Sequence, residues 1–301
     1  MTTTWLLTGA TGMLGQDVLA LLRRDGETAV GLARSGLDIT DADAVHDTLD
    51  AHRPRIVVNC AAWTAVDDAE ARGAEALRVN GDGPGHLAAA CAKTGARLIQ
   101  LSTDYVFAGD ATAPYPEDGP TAPRGAYGRT KLAGERAVLA ALPDAGYVVR
   151  TAWLYGAGGR NFVDTMIGLE AARDTVDVVD DQHGQPTWTV DLADRLVRLG
   201  RAALAGTAPA GVYHGTSAGE TTWYGLAREV FRLLGTDPAR VRPTTGTAFV
   251  RPAPRPAYSV LGHDGWRRAG IEPIRPWREA LETAFPALLD QKHNEKKGSA
   301  R

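Results

Sequence analysis

The sequence predicts an α/β fold: a Rossmann-type, doubly wound parallel sheet with a smaller, mostly helical C-terminal lobe. Three observations carry this. Short, continuously apolar runs alternate with amphipathic stretches through the first half, as strands covered on both faces by helices must. Thr8-Gly9-Ala10-Thr11-Gly12-Met13-Leu14-Gly15 sets three glycines at intervals of three between the first apolar run and the first amphipathic stretch. Beyond about residue 155 the regularity loosens, and prolines gather at Pro243, Pro252, Pro254, Pro256, Pro273 and Pro276.

The elements follow in order. Trp5-Leu6-Leu7-Thr8 is a strand, and Gly15 to Arg24 a helix with Leu14, Val18, Leu21 and Leu22 at helical spacing. Ala29 to Ala33 is a second strand. Asp41 to His52 is a helix behind an acidic cap region, Thr40-Asp41-Ala42-Asp43. Arg55 to Cys60 is a third strand. Glu75 to Thr94 is a helix whose middle is weakened by Gly81, Gly83 and Pro84. Arg97 to Ser102, then a helix from Tyr127 to Leu142, then Gly146 to Arg150 complete the alternation. In the second half, short helices are expected at Asp191 to Ala205, Tyr224 to Leu234 and Trp277 to Ala284. The expected division is a dinucleotide-binding domain over 1–155, a substrate lobe over 156–288 interleaved with the sheet, and a disordered polar tail over 289–301.

Composition narrows the class. Of 301 residues, 44% are hydrophobic, enough for a sizeable core, and a net charge of −3 argues against nucleic acid or an anionic membrane as partner. No apolar run is long enough to span a bilayer. The N-terminus lacks a basic region and enters a glycine turn at once, so a cytoplasmic protein is expected. Cys60 and Cys91 read as core residues, and two cysteines make no metal cluster.

Glycines at 9, 12 and 15, between a strand and a helix, allow a tight turn and close approach of Gly12, Met13 and Leu14 to a pyrophosphate at the helix N-terminus. The second strand ends at Ala33-Arg34-Ser35, where an acid would select a ribose 2′-hydroxyl. Arg34 and Ser35 there favour NADPH over NADH, although an arginine stacked on adenine would admit either. Asp38 and Ile39 are expected beside the adenine. Ala61 and Ala62, ending the third strand, are small enough for a cofactor to lie close.

The reacting chemistry is read from Tyr127-Gly128-Arg129-Thr130-Lys131 with Thr103. Tyrosine and lysine four residues apart share one face of a helix. An ammonium nearby lowers a phenol's pKa and makes it a proton donor and acceptor for an alcohol–ketone interconversion. Thr103 ends the fourth strand, on the same sheet edge as the glycine turn, with its hydroxyl available to orient a carbonyl. Lys131 is expected to lower the Tyr127 pKa and to hold the nicotinamide ribose.

These motifs resemble the extended short-chain dehydrogenase/reductases and, more closely, the dTDP-4-dehydrorhamnose reductases. The matching residues run over about 4–288. They include Asn59-Cys60-Ala61-Ala62-Trp63-Thr64-Ala65-Val66-Asp67, Ser102 to Phe107, Arg150 to Gly156, Asp181-Gln182-His183-Gly184-Gln185-Pro186-Thr187 and Arg255-Pro256. The resemblance implies reduction of the 4-keto group of a dTDP-6-deoxy-L-hexulose with NADPH or NADH, by a monomer or homodimer. It implies that Thr64 joins the cofactor residues, and that Val66, Thr103, Asp104, Tyr105 and Trp153 meet the sugar. Asn161, Gln182 and Arg255 are implied at the nucleotide diphosphate, with Arg251 competing for that role. The product is open between a rhamnose precursor and a relative such as dihydrostreptose.

The chain departs from the pattern at two places. Some members hold magnesium with glutamates on the first helix and after the Pro-Thr motif; Asp17 and Val190 stand there, so no metal is carried over. Tyr258 replaces a frequent asparagine. Other readings are weighed by residue. A dehydratase needs a second acid after Asp104, where Tyr105 stands. An epimerase usually shows a different run around the catalytic serine or threonine. A non-catalytic cofactor-binding subunit, resembling the regulatory subunit of methionine adenosyltransferase, would be free to lose the trio that Thr103, Tyr127 and Lys131 keep.

Overall fold

The computed structural model describes residues 4–299. Its centre is a six-stranded sheet made of β1 (Thr4–Thr8), β2 (Thr28–Leu32), β3 (Ile56–Asn59), β4 (Arg97–Thr103), β5 (Gly146–Thr151) and a last strand, Gly211–His214. In space the order is last strand, β5, β4, β3, β1, β2, with every neighbouring pair parallel. The order reverses at β1, and the crevice beyond the carboxyl ends of β1 and β3 is where such sheets bind ligands.

The helices are α1 (Met13–Arg24), α2 (Ala42–His52), α3 (Asp68–Ala71), α4 (Gly73–Leu77), α5 (Gly83–Thr94), α6 (Ala126–Ala141), α7 (Phe162–Ala172), α8 (Thr189–Ala205), α9 (Trp223–Leu233), α10 (Asp264–Arg268) and α11 (Trp277–Ser299). Alternate side chains of each strand feed two cores. On one face Trp5, Leu7, Val58 and Leu101 pack with Val18 and Leu22 of α1 and Leu192 and Leu196 of α8. On the other, Leu6, Val57, Leu98 and Val148 pack with Val45 and Leu49 of α2, Leu87 of α5 and Val138 of α6. A third core, including Tyr155, Val163, Met166, Val230, Phe231, Trp277 and Leu281, builds the region beyond the sheet. The chain returns from that region to add Gly211–His214 beside β5.

Two expectations are modified. The stretch around Gly81, Gly83 and Pro84 stays helical, but its middle is a π-helical turn, Arg78–Asp82. A Cβ on Gly81 would come within 2.7 Å of Leu77, and one on Gly83 within 2.7 Å of Ile39, so close packing selects the glycines. Pro84 follows directly on the π-helical turn, where Gly83 N–H bonds the Arg78 carbonyl, so the N–H that proline lacks falls where the ladder changes register. The polar stretch expected as a disordered tail is instead the end of α11, which runs through Ser299; residues 300 and 301 lie outside the described residues. Leu288 and Leu289 pack on the third core and Lys292 pairs with Asp164 at 2.8 Å, so tertiary contacts extend the helix past Pro286.

Candidate active site

The glycine turn and the Thr103–Tyr127–Lys131 group meet at the carboxyl edge of the sheet, and a buried polar ladder fixes that edge. The Thr8 hydroxyl donates to Asn59 Oδ1 at 2.6 Å, and Asn59 Nδ2 donates to Gln100 Oε1 at 2.7 Å, tying β1, β3 and β4 together. Asn59 Oδ1 also accepts the Ala61 N–H at 3.1 Å, which sets the turn that follows β3. The glycine turn packs onto it. Gly9 has φ +65°, and a Cβ there would lie 2.6 Å from the Ala61 nitrogen. At Gly15 a Cβ would lie 2.3 Å from the Gly9 carbonyl, so α1 approaches its own turn closely. Gly12 begins α1 with no side-chain cap and no acid in the first turn. The uncapped N–H groups and positive dipole end of α1, beside Ala61 and Ala62, fit a dinucleotide pyrophosphate.

The adenosine end is less regular. Arg34 is exposed and reaches Asp38 at 3.4 Å; Ser35 is exposed beside it. The Thr40 backbone N–H and hydroxyl hold the Asp38 carboxyl below its ordinary range. Ile39 does not stay at the surface: it is 3% exposed and packs in the core under Gly83. Met13 is half-buried against Gly159, Leu14 is core, and Thr64 is exposed.

The reacting trio converges as the spacing requires. Thr103 is the last residue of β4, and Tyr127 and Lys131 stand on α6, which crosses that strand end. Glycines let the helix come close: a Cβ on Gly128 would lie 2.2 Å from the Tyr105 carbonyl, and one on Gly134 2.2 Å from that of Asn80. Burial pushes the Tyr127 phenol up to about 12, while a hydrogen bond with Thr103 opposes the shift. The expected lowering by Lys131 is absent. The Lys131 amine donates to the Leu101 carbonyl at 2.6 Å, and burial brings its own pKa down to about 8 against the pull of Glu135 and Cys60. The phenol is therefore protonated at neutral pH, the form a proton donor needs.

Thr103 is more committed than its sequence position suggests. Its hydroxyl accepts the Tyr105 N–H at 3.2 Å and donates to Asp104 Oδ1 at 2.9 Å. A hydroxyl has one proton, so donation to a substrate carbonyl requires it to turn from Asp104. Asp104 is 3% exposed, and its Oδ2 is buried without a partner. Burial raises its carboxyl to about 6 despite hydrogen bonds from Ser259 and Thr103.

Tyr105 leads to the other end of the site. Its ring meets Tyr127 edge to face, with centroids 5.7 Å apart. It also lines a shallow cavity with Arg124, Gly125, Pro254 and Arg255. Arg255 donates to Asp67 Oδ2 at 2.9 Å, and Arg251, more exposed, lies 3.9 Å from the same carboxylate. Val66, next to Asp67, is half-buried. Trp153 follows β5 with a left-handed φ of +46° and stacks on Trp223 at 3.6 Å. Asn161 is already engaged: it caps α7 through the Asp164 N–H and donates to the Gly156 and Gly159 carbonyls. Gln182 lies beside Gly246, away from the trio's elements. Tyr258 donates to Glu220 at 2.8 Å and pairs with backbone near Asp110 and His183, a junction of three segments. Asp17 is raised by burial against a Thr189 hydrogen bond, Val190 is 42% exposed, and the described residues hold no cluster of three potential metal ligands.

Sequence reasoning missed two supports. Glu70, on α3, accepts the Ala126 N–H at 2.7 Å and so caps α6, whose own N-cap, Gly125, has no side chain to do it. Asn80, in the π-helical turn, accepts the Trp63 N–H at 2.9 Å and donates to the Trp63 carbonyl and the Thr130 hydroxyl. It thereby joins the cofactor-side turn to α6. Both act across more than 15 residues of sequence, so no local pattern announces them; an asparagine among helix-weakening glycines was the one available signal.

A parallel sheet with a glycine turn and a Thr–Tyr–Lys cluster at its carboxyl edge defines an extended short-chain dehydrogenase/reductase architecture. Residues 3–289 match the family model described as the RmlD substrate binding domain, and the chain belongs to that family. It is 66% identical to a dTDP-4-dehydrorhamnose reductase of Streptomyces griseus over 94% of this chain and 93% of the relative. It is 57% identical to a dTDP-4-keto-6-deoxy-D-glucose reductase of Streptomyces niveus, covering 96% and 98% respectively. Among solved structures it is similar to a dTDP-4-dehydrorhamnose reductase of Bacillus anthracis in complex with NADP, with TM-score 0.90, 36% identity and coverage of 95% of this chain and 100% of that one.

Proposed function

We propose that this chain reduces the 4-keto group of a dTDP-linked 4-keto-6-deoxyhexose with a nicotinamide cofactor. The observation that carries the reading is the convergence of Thr103, Tyr127 and Lys131 at the sheet edge beside an uncapped glycine turn. The family's curated relatives named above act on such sugars. When bound, the reduced nicotinamide supplies the hydride.

The chain's own residues supply the rest. Gly9, Gly12 and Gly15 admit the pyrophosphate to the start of α1. Arg34 and Ser35 favour a 2′-phosphate, hence NADPH. Lys131, fixed by one donor to Leu101, keeps its other protons for the ribose. Tyr127 gives its phenolic proton to the substrate's carbonyl oxygen, and Thr103 hydrogen-bonds that oxygen once its hydroxyl turns from Asp104. Arg255 suits the substrate diphosphate through its fork, sharing it with Asp67. Residues 1–155 then serve mainly the cofactor and 156–288 mainly the sugar nucleotide. Tyr105 stands where water elimination would need a second carboxylate, so the reading stops at reduction. Every group named comes from one chain, compatible with a monomer or a homodimer. Two free cysteines suit the reducing cytoplasm.

The test is NADPH oxidation, followed by absorbance, across a set of dTDP-4-keto-6-deoxyhexoses. Oxidation matched mole for mole by hydroxyl product is expected. Tight NADPH binding with no turnover on any of them would favour a non-catalytic binding protein.

A further inference from the structure

The tyrosine–lysine pair is two-thirds of a longer stripe. Tyr127, Lys131 and Glu135 follow at four-residue intervals and share one face of α6. Lys131 is 4% exposed and Glu135 2%. The two reach consecutive residues of one strand: Lys131 binds the Leu101 carbonyl, and Glu135 Oε1 accepts the Ser102 hydroxyl. Thr103 comes next. Arg150, paired across the sheet with Ser102, closes the arrangement from β5. Its Nε donates to Glu135 Oε1 at 3.0 Å and its Nη2 to Oε2 at 2.8 Å, a bidentate pair. Arg150 is itself held by the Glu117 carbonyl at 3.2 Å and lies 4.9 Å over the Phe107 ring.

A buried ion pair is a poor way merely to glue a helix to a sheet, because desolvation offsets most of the attraction and apolar side chains do as well. What a carboxylate adds is charge, one turn from a buried ammonium. Glu135 on its own helix and Cys60, just after β3, favour the Lys131 ammonium and burial opposes it. Tyr127 lies one turn away on α6, and Arg150, bound to Glu135 from β5, offsets part of the carboxylate's charge.

We propose that Glu135 is a positioning residue for the reduction site. It pins α6 on β4 and β5 in the register that sets Tyr127 against Thr103, and it is the counter-charge that keeps Lys131 protonated. This rests on the reductase reading only in assigning Lys131 to the cofactor. A helix slip of one turn would carry Tyr127 about 5 Å along its axis, so the register matters as much as the charge.

The test reads NADPH affinity in the binary complex, which needs no sugar substrate, from pH 6 to about 10. For the unaltered protein, affinity should fall as pH rises through about 8, where Lys131 deprotonates. Affinity independent of pH over that range would overturn the charge role without any variant. Glu135→Gln keeps an acceptor for Ser102 and loses the charge; its midpoint should move down by about one pH unit. Glu135→Leu with Arg150→Met removes the pair without stranding either charge; because both charges leave together, its midpoint should move down less than that of Glu135→Gln, in a folded protein. Glu135→Asp, with the charge restored, should return the midpoint toward the original value. In turnover, Glu135→Gln should lose about fivefold in kcat at pH 8 and much less at pH 6.5. An unmoved midpoint in Glu135→Gln, or a loss equal at every pH, overturns the proposal. If the unaltered protein shows the predicted binding profile yet reduces no ketosugar, the functional reading fails and the Lys131–Glu135 coupling stands.

Discussion

Tyr127 and Lys131 stand on a helix of 16 residues, docked by glycines against Tyr105 and Asn80 and capped from outside by Glu70. Arg251 and Arg255 hang instead on an irregular segment. It is tied down by carboxylates: Asp181 accepts the Gly246 N–H at 2.8 Å, and Asp67 accepts the Ala253 N–H at 3.2 Å and one Arg255 N–H at 2.9 Å. Between those ties Phe249 is 46% and Val250 90% exposed. One end of the site is set in the sheet and its helices before any ligand arrives. The other is a set of ion pairs with Asp67 that, on the proposed function, an incoming diphosphate would share. Reaction geometry tolerates little movement, whereas recognition of a flexible nucleotide sugar can use adaptable charges. Variants should therefore separate cleanly, losing turnover at the first end and affinity at the second.

The largest separation is expected at Tyr127. Tyr127→Phe removes the proton donor and should lower kcat by about 10²- to 10⁴-fold, with NADPH affinity nearly unchanged in fluorescence titration. Turnover within a few-fold of the original would remove Tyr127 from the role of acid. Next comes Arg255→Met, which keeps much of the apolar stem and deletes the fork. Loss of a charged hydrogen-bond pair worth about 1.5–3 kcal/mol should raise KM for the sugar nucleotide roughly 10- to 100-fold. The kcat should hold; if it collapses instead, the two ends are not separable. Smaller again is Arg34→Asp. Steady-state kinetics with both cofactors should shift the NADPH/NADH ratio toward NADH by about tenfold, and an unchanged ratio sinks the 2′-phosphate argument.

The last effect is on stability rather than activity and concerns Asp104. Its folded pKa of about 6 lies above the ordinary 3.8, so the folded state holds its proton more tightly. That preference is fully present below pH 3.8 and is lost as pH rises through 6. Above 6 the buried carboxylate lowers stability by an upper limit of about 3 kcal/mol. Asp104→Asn should thus melt a few degrees higher at pH 8 and about level with the original at pH 4. A lower melting temperature at pH 8 would show that the carboxylate, not its burial, stabilises this turn.

The difference between the two ends also explains what was legible in the sequence. Regular elements broadcast themselves: apolar runs marked β1 to β5, and Tyr127 with Lys131 followed from four-residue spacing on a helix after Thr103. The direction of the Tyr127 shift was not legible, because it depends on how deeply the fold buries the phenol, and packing between distant segments decides that. Asn161 looked available for a diphosphate, yet its cap of α7 consumes it; capping and ligand binding call for the same residue types. Position alone points Ile39 to the adenine, whereas the missing side chain of Gly83 opens the core to it. Polarity alone reads the end of α11 as disordered, whereas contacts such as Lys292 with Asp164 hold it helical.

The most direct test of the whole account is product analysis with labelled cofactor. The protein is incubated with dTDP-4-dehydro-L-rhamnose and NADPH carrying deuterium at both C4 positions of the nicotinamide, and the sugar is examined by NMR. The account predicts dTDP-L-rhamnose with one deuterium at hexose C4, formed mole for mole with oxidised cofactor, and a near absence of label with Tyr127→Phe. Unlabelled product, label at another carbon, or full labelling by Tyr127→Phe would contradict it.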